Sequence, residues 1–264
     1  MATPLTWSAK AAVTATCNRR GSTRWSRPLG RLTEHRAGEA PSFNRYAGGV
    51  ALAGAEEPTE AGRRYRGLTP SERRAARRQR LLDIGLNSFG TVGYAATTIE
   101  QLCSDAGVTP RHFYEEFPSR EALLLSVYDA AVRLTHEAAV QAVASAPLDL
   151  RARTRAGIEA FVHAMCDDPR RARVLCVEAV GVSHEFESHR RDVIHDFADL
   201  TEAEARRLRT LRDEPLRDLH IRSVALVGAV HELVIEWALS IEHPPLEQLI
   251  DELTEIWIAV GQLP

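Results

Sequence analysis

After about residue 70 the apolar residues recur at three- and four-residue intervals, the period of helices that bury one face. Leu81, Leu82, Gly85, Leu86 and Phe89 share one such face, while Arg73, Arg74, Arg77, Arg78 and Arg80 take the opposite side and the N-terminal turns. The pattern predicts a first helix at about 71–89, started by Pro70 and Ser71 and stopped by Gly90 and Gly93. Ile99, Leu102, Cys103 and Ala106 form a shorter face and predict a second helix at about 98–105. Thr98, followed three residues later by Gln101, predicts a capping box at its start, and Gly107 closes it. Thr109 and Pro110 open a third helix at about 109–116, with Phe113 and Phe117 turned inward.

The rest also reads as helices only: 120–145, 149–166, 169–182, 185–211, 216–242 and 246–261. Pro147, Pro169, Pro215 and Pro244-Pro245 punctuate them. The stretch "SVALVGAVHELVIEWALSI" is apolar around more than one face, so burial on more than one side is expected. In the last helix Leu249, Leu253, Ile256, Trp257 and Val260 form one stripe. The fold class is therefore all-α.

Residues 1–62 break this pattern. Their first half, "MATPLTWSAKAAVTATCNRRGSTRWSRPLGRL", has no acidic residue and no apolar periodicity. It lacks the continuous apolar stretch of a secretory signal, though its Arg- and Ser-rich composition shares features with a transit peptide. It reads as a disordered leader, or as a start placed too far upstream.

Composition adds limits. The 264 residues are 44% hydrophobic and 26% charged, as in a folded soluble protein. No apolar run approaches the roughly eighteen residues of a spanning helix, so no membrane partner is expected. Cys17, Cys103, Cys166 and Cys176 form no C-x-x-C pair, which argues against a disulfide or zinc framework and for a reducing cytoplasm. The net charge of −3 conceals an asymmetry: residues 63–120 carry 10 basic and 6 acidic side chains, residues 121–264 carry 15 and 25. A basic block ahead of an acidic one suggests a nucleic-acid-facing segment joined to something that is not.

Two short helices joined by a glycine turn, behind an arginine-bearing helix, make a helix-turn-helix, whose second helix enters the major groove of duplex DNA. The segment "TTIEQLCSDAGVTPRHFYEEFPSREALL" resembles the DNA-binding domain of the TetR family of bacterial transcriptional regulators. The shared positions are Thr98, Ile99, Ala106-Gly107-Val108, Phe113-Tyr114, Phe117 and the start of a helix from Arg120 to Leu124. The resemblance covers roughly residues 71–125. It implies a helix-turn-helix domain over 63–124 and an all-helical ligand-binding and dimerisation domain over 125–264.

The resemblance also implies site residues. Thr98 and Tyr114 would hold phosphates with Arg120 nearby, Pro110, Arg111 and His112 would face bases, and Thr109 would also lie at the DNA. Arg77 of the first helix is expected to add a phosphate contact. The partners implied are a palindromic double-stranded operator, a second copy joined through the last two helices, and a small-molecule effector of unknown identity. Candidate effector-lining residues by position are Tyr128, Phe161, Met165, Cys176, Phe186 and Trp237. The expectation is a ligand-responsive repressor without cofactor, metal or catalytic activity.

Two departures stand out. Cys103 replaces a small alanine. Glu115-Glu116 stand where a histidine, arginine or aromatic is common, and carboxylates beside phosphates repel. Either they turn away into intramolecular pairs or one reads a cytosine amine. They keep open an alternative, a helical interaction module with a degenerate helix-turn-helix that no longer binds DNA. His163 and Cys166, three apart, lack a third metal ligand, and "HELVIE" at His231 has Ile235 where a zincin needs its second histidine.

Overall fold

The computed structural model describes residues 69–211, 213 and 218–262. The expectations for the leader, for residues 63–68 and for positions 216 and 217 lie outside them; Asp218 and Leu219 are not helical, so the helix expected from 216 starts at His220. Among the described residues there are helices and no strands. They are α1 (Pro70–Thr91), α2 (Ile99–Ala106), α3 (Pro110–Glu116), α4 (Arg120–Ser145), α5 (Leu150–Cys166), α6 (Pro169–Arg173), α7 (His184–Leu211), α8 (His220–Leu239) and α9 (Leu246–Gln262). A π turn, Val174–Glu178, continues α6.

Most boundaries follow from local chemistry. Thr69 caps α1 with a full capping box: its side chain accepts from the Glu72 amide, and the Glu72 carboxylate accepts from the Thr69 amide at 2.6 Å. Ser119 caps α4 and Asp149 caps α5 from extended backbone, each side chain accepting from the amide three residues on.

Three expectations need correction. Gly90 does not stop α1, which runs on to Thr91. It is a point of close approach instead: a Cβ there would lie 2.4 Å from the Arg170 Cβ and 2.8 Å from its Cα, so α6 packs backbone against α1. The helix expected over 169–182 divides, because the Ala179 amide bonds to Val174 five residues back rather than four. This wide turn buries Val174, Leu175 and Cys176. The eighth helix ends at Leu239 rather than near 242. There the Trp237 indole donates to the Pro244 carbonyl at 3.0 Å and the His243 ring stacks on it at 4.3 Å, which requires the chain to turn.

One continuous core joins all of this. It runs from Leu81, Phe89 and Leu102 through Val127 and Tyr128 to Val234, Ile250 and Leu253. In α9 the buried residues are Ile250, Leu253, Thr254 and Ile258, with Trp257 partly buried, whereas Ile256 from the expected stripe is exposed. No helix among the described residues is long and apolar enough to cross a membrane.

Candidate nucleic-acid interface

The turn between α2 and α3 is set by Gly107, at φ 62 and ψ 40, a left-handed conformation that costs glycine least. The Val108 amide reaches back to the Cys103 carbonyl at 2.9 Å, satisfying an end that α2 leaves open. Thr98 caps α2 by accepting from the Gln101 amide at 3.2 Å. The second half of the expected capping box is absent, because the Gln101 side chain donates to Asp105 at 2.8 Å, four residues along the helix surface. Thr109 caps α3 by accepting from the His112 amide at 3.3 Å, and Pro110 follows at the first helical position.

Phe113 and Phe117 are buried, their rings 6.0 Å apart, and they fix which side of α3 faces out. The outward side carries Arg111, whose side chain is 88% exposed, and Tyr114, 56% exposed. Pro110 and Thr109 are exposed and His112 is partly so. Thr98 is exposed at the start of α2.

Glu116 turns away from this surface, while Glu115 stays exposed. The Glu116 side chain is 2% exposed. One of its oxygens accepts from Arg77 at 2.8 Å and the other from Arg74 at 3.2 Å. Arg74 and Arg78 also donate to the carbonyls of Glu115 and Glu116, at 3.3 and 3.0 Å. The Arg78 guanidinium lies 4.3 Å over the Phe117 ring. Cations thus cover the negative end of α3, where its carbonyls lack helical partners. Glu115 pairs with Arg111 at 3.3 Å and with Arg77 at 3.7 Å.

Arg77 and Arg120 both have intramolecular partners. Arg77 is engaged with Glu116. Arg120 donates to the Thr97 carbonyl and lies 4.2 Å over the Tyr94 ring, bracing the α1–α2 connection. That connection is tied to the π turn as well: the Tyr94 amide donates to Glu178 at 2.7 Å, and Arg173 bridges Glu178 and the Thr91 carbonyl. Sequence reading missed Arg74, Tyr94 and Glu178. The arginine run was visible; its partners, about forty residues away, were not.

The family model for "Bacterial regulatory proteins, tetR family" matches residues 81–127, which hold α2, α3 and their flanks. The HTH-type transcriptional regulator EthR of Mycolicibacterium smegmatis is 30% identical over 215 residues, covering 78% of this chain and 94% of that protein. The chain belongs to the TetR family of bacterial transcriptional regulators. Solved TetR-like structures share the fold. The fatty acid degradation regulator FadR from Bacillus halodurans superposes with a TM-score of 0.61 at 16% identity, covering 71% of this chain and 96% of that one. FadR from Bacillus subtilis, solved with stearoyl-CoA, gives 0.62 at 13% identity, covering 69% and 98%. As a TetR-family member the chain is a DNA-binding regulator, and the relatives named are regulators rather than enzymes.

In the helical body of this TetR-family chain, some effector-lining candidates come together. The Tyr128 and Phe186 rings meet edge to face at 5.4 Å, and Tyr128 also meets His189 at 5.9 Å. Cys176, on the buried side of the π turn, lies close enough to influence Tyr128 electrostatically. Met165 is buried in the same core. Phe161 makes its ring contact with Phe197, at 5.3 Å, and Trp237 with His243, so these two have other neighbours. Burial pushes the Cys176 and Cys166 thiols up to about 12, which leaves both uncharged.

His163 is partly exposed and pairs with Asp167 at 2.9 Å, whereas Cys166 is buried, so the two share no ligand face. Two groups, Glu159–His163–Glu247 and Asp199–Glu202–His220, bring ligand atoms within 4.8 Å of one another. In each group one carboxylate already serves an arginine: Glu247 accepts from Arg155 at 2.9 Å and Glu202 from Arg206 at 2.7 Å. Sequence reading passed over Arg190 and weighed His231 only as an incomplete zincin motif. Arg190 stands four residues after Phe186, on the same helical side, and that spacing was the available signal.

Proposed function

We propose that the chain is a ligand-responsive repressor that binds a palindromic operator as a homodimer, with residues 63–124 as its DNA-binding part and 125–264 as its effector and dimer part. The observation that carries the DNA half is the outward side of α3. Pro110, Arg111, His112 and Tyr114 stand on it, and the carboxylate of Glu116 is buried against α1. Arg111 and His112 read base edges, while Tyr114, Thr109 and Thr98 hold phosphates. Arg77 acts through Glu116, by positioning α3, and Arg120 by positioning the α1–α2 connection. The interaction-module alternative drew on the two glutamates, and the burial of Glu116 against Arg77 and Arg74 supports the DNA-binding reading instead.

The dimer half draws on α8 and α9, which keep large apolar residues outside. Ile221 is 82% exposed, and Leu239 and Ile256 are exposed as well. Pairing of these helices with a second copy would set two α3 helices about 34–36 Å apart, one turn of DNA. The effector half draws on the FadR of Bacillus subtilis, whose structure holds stearoyl-CoA. An effector that binds one dimer geometry better shifts the population away from the operator-competent one. DNA as partner places this work in the cytoplasm.

The test is selection of bound sequences from a random duplex pool with the full chain. A recovered palindrome with half-sites about 10 base pairs apart is the expected result. Recovery of single half-sites only would overturn the dimeric reading, and no enrichment would overturn sequence-specific binding.

A further inference from the structure

Among the described side chains, one buried nitrogen or oxygen has no hydrogen-bond partner: Nε2 of His231 in α8. A native fold seldom leaves such a group unmade, because the lost solvation is not returned. The surroundings give the reason. Burial first, and then the Arg190 guanidinium, hold the His231 pKa below its usual value, with Glu232 acting weakly the other way. The ring is therefore neutral near pH 7 and can present an N–H at Nε2.

Arg190 of α7 has spare donors as well. Its Nε and Nη2 both go to one oxygen of Glu187, at 3.2 and 3.1 Å, and its Nη1 donates to no described residue. The other Glu187 oxygen is taken by the Gly181 amide at 2.9 Å. Arg190 also acts on the Tyr128 hydroxyl of α4 and the Cys176 thiol of the π turn. Burial chiefly keeps the proton on Tyr128, so this group too is a donor. Arg190 of α7 thus acts on groups of α4, the π turn and α8, and among the described residues none of them gives His231 Nε2 a hydrogen-bond partner. Around them the surface is apolar, with Phe186 on Tyr128 and the uncharged Cys176 beside it.

We infer that this site takes an amphipathic carboxylate, its head held by Arg190 and the buried Nε2 of the half-buried His231 imidazole and its apolar chain against Tyr128, Phe186 and Cys176; the inference rests on the proposed effector role and names its chemistry. A carboxylate accepts from both groups at once, through the fork geometry that arginine offers. One arginine beside a neutral histidine suits a monoanion rather than a phosphate dianion. The head group takes over the guanidinium from Glu187, whose side chain is 22% exposed and reaches water.

The experiment is titration calorimetry on the full chain with straight-chain carboxylates from hexanoate to hexadecanoate, each beside its alcohol, and with decanoyl-CoA. The best carboxylate should bind at least about tenfold tighter than its alcohol, the value of charge-assisted hydrogen bonds to a buried site. Arg190→Gln and His231→Phe should collapse that ratio. Arg190→Gln carries a risk of misfolding, so Glu187→Gln supplies the opposite sign: with its competitor gone, Arg190 should bind carboxylate more tightly. Equal binding of carboxylate and alcohol keeps the effector site and overturns the head-group inference. So does decanoyl-CoA binding without any carboxylate binding, or a ratio that survives Arg190→Gln. A chain that binds carboxylate but selects no DNA overturns the regulator reading alone.

Discussion

The α2–α3 region and the centre of the helical body treat polar groups in opposite ways. Around α3, unwanted charge is drawn inward and neutralised: Glu116 is buried between Arg74 and Arg77, and the side that carries Arg111 and Tyr114 faces out. Around Tyr128, polar groups are kept inside with capacity to spare, ending in the unpartnered Nε2 of His231. The contrast teaches that a surface for a large polyanion needs its own carboxylates hidden, while a site for a small ligand needs buried donors that the protein itself does not use.

The comparison can be broken most severely at the joint between the two regions. Gly90→Ala forces a Cβ against the Arg170 backbone and should cost about 3 kcal/mol of stability, the upper range for overpacking. Gly107→Ala meets no atom within 4 Å and should cost only the left-handed strain, about 1–2 kcal/mol. Denaturant melts of the two variants check the order; equal losses would mean that α6 yields.

Next comes the neutralising pair. Glu116→Ala leaves Arg77 without its buried acceptor and should destabilise by about 2 kcal/mol, less than a fully buried pair because Arg74 is largely exposed. Glu115→Ala, at an exposed carboxylate, should stay within about 0.5 kcal/mol. Thermal melts distinguish them.

DNA contacts come third. Arg111→Ala should cost about 1–3 kcal/mol at one base position and relax preference there, whereas Tyr114→Phe should weaken all operators alike by less than about 1 kcal/mol. Binding to a panel of single-base operator variants reads this, and a uniform loss for Arg111→Ala would move it from bases to phosphates.

The smallest effect is in pH. His189 bonds Asp129 at 2.7 Å, and that bond raises its pKa in the folded state. A raised folded pKa gives stability that is full below the unfolded value, about 6.5, and is lost as pH rises through the folded one. His231 and His136 are shifted down, chiefly by burial, and do the reverse, losing stability as pH falls. His189→Gln should therefore flatten the alkaline side of the stability profile, while His231→Phe should flatten the acid side.

Much of the DNA-facing region was legible because its signals are local. Thr98, Gly107, Thr109 and Pro110 act within a few residues, so caps and the turn could be read from adjacent letters. What failed depended on partners far along the chain. The pairing of Arg77 with Glu116, 39 residues away, is announced by no local pattern. Gly90 reads as a helix stop until α6 arrives against it. In the body, aromatics such as Tyr128 and Phe186 announced themselves, but Arg190 and His231 matter through burial and spacing in three dimensions, which no single helix pattern carries.

The contact at Gly90 has a mechanical consequence. Most helix packings are cushioned by side chains that can change rotamer, and a small displacement dies out within one layer. Here the α6 backbone rests on α1 with no side chain from the glycine between them. Such a bearing behaves as a rigid strut. Whatever moves α6 and the π turn must carry the end of α1 with it, and with α1 goes the arginine clamp that aims the recognition helix.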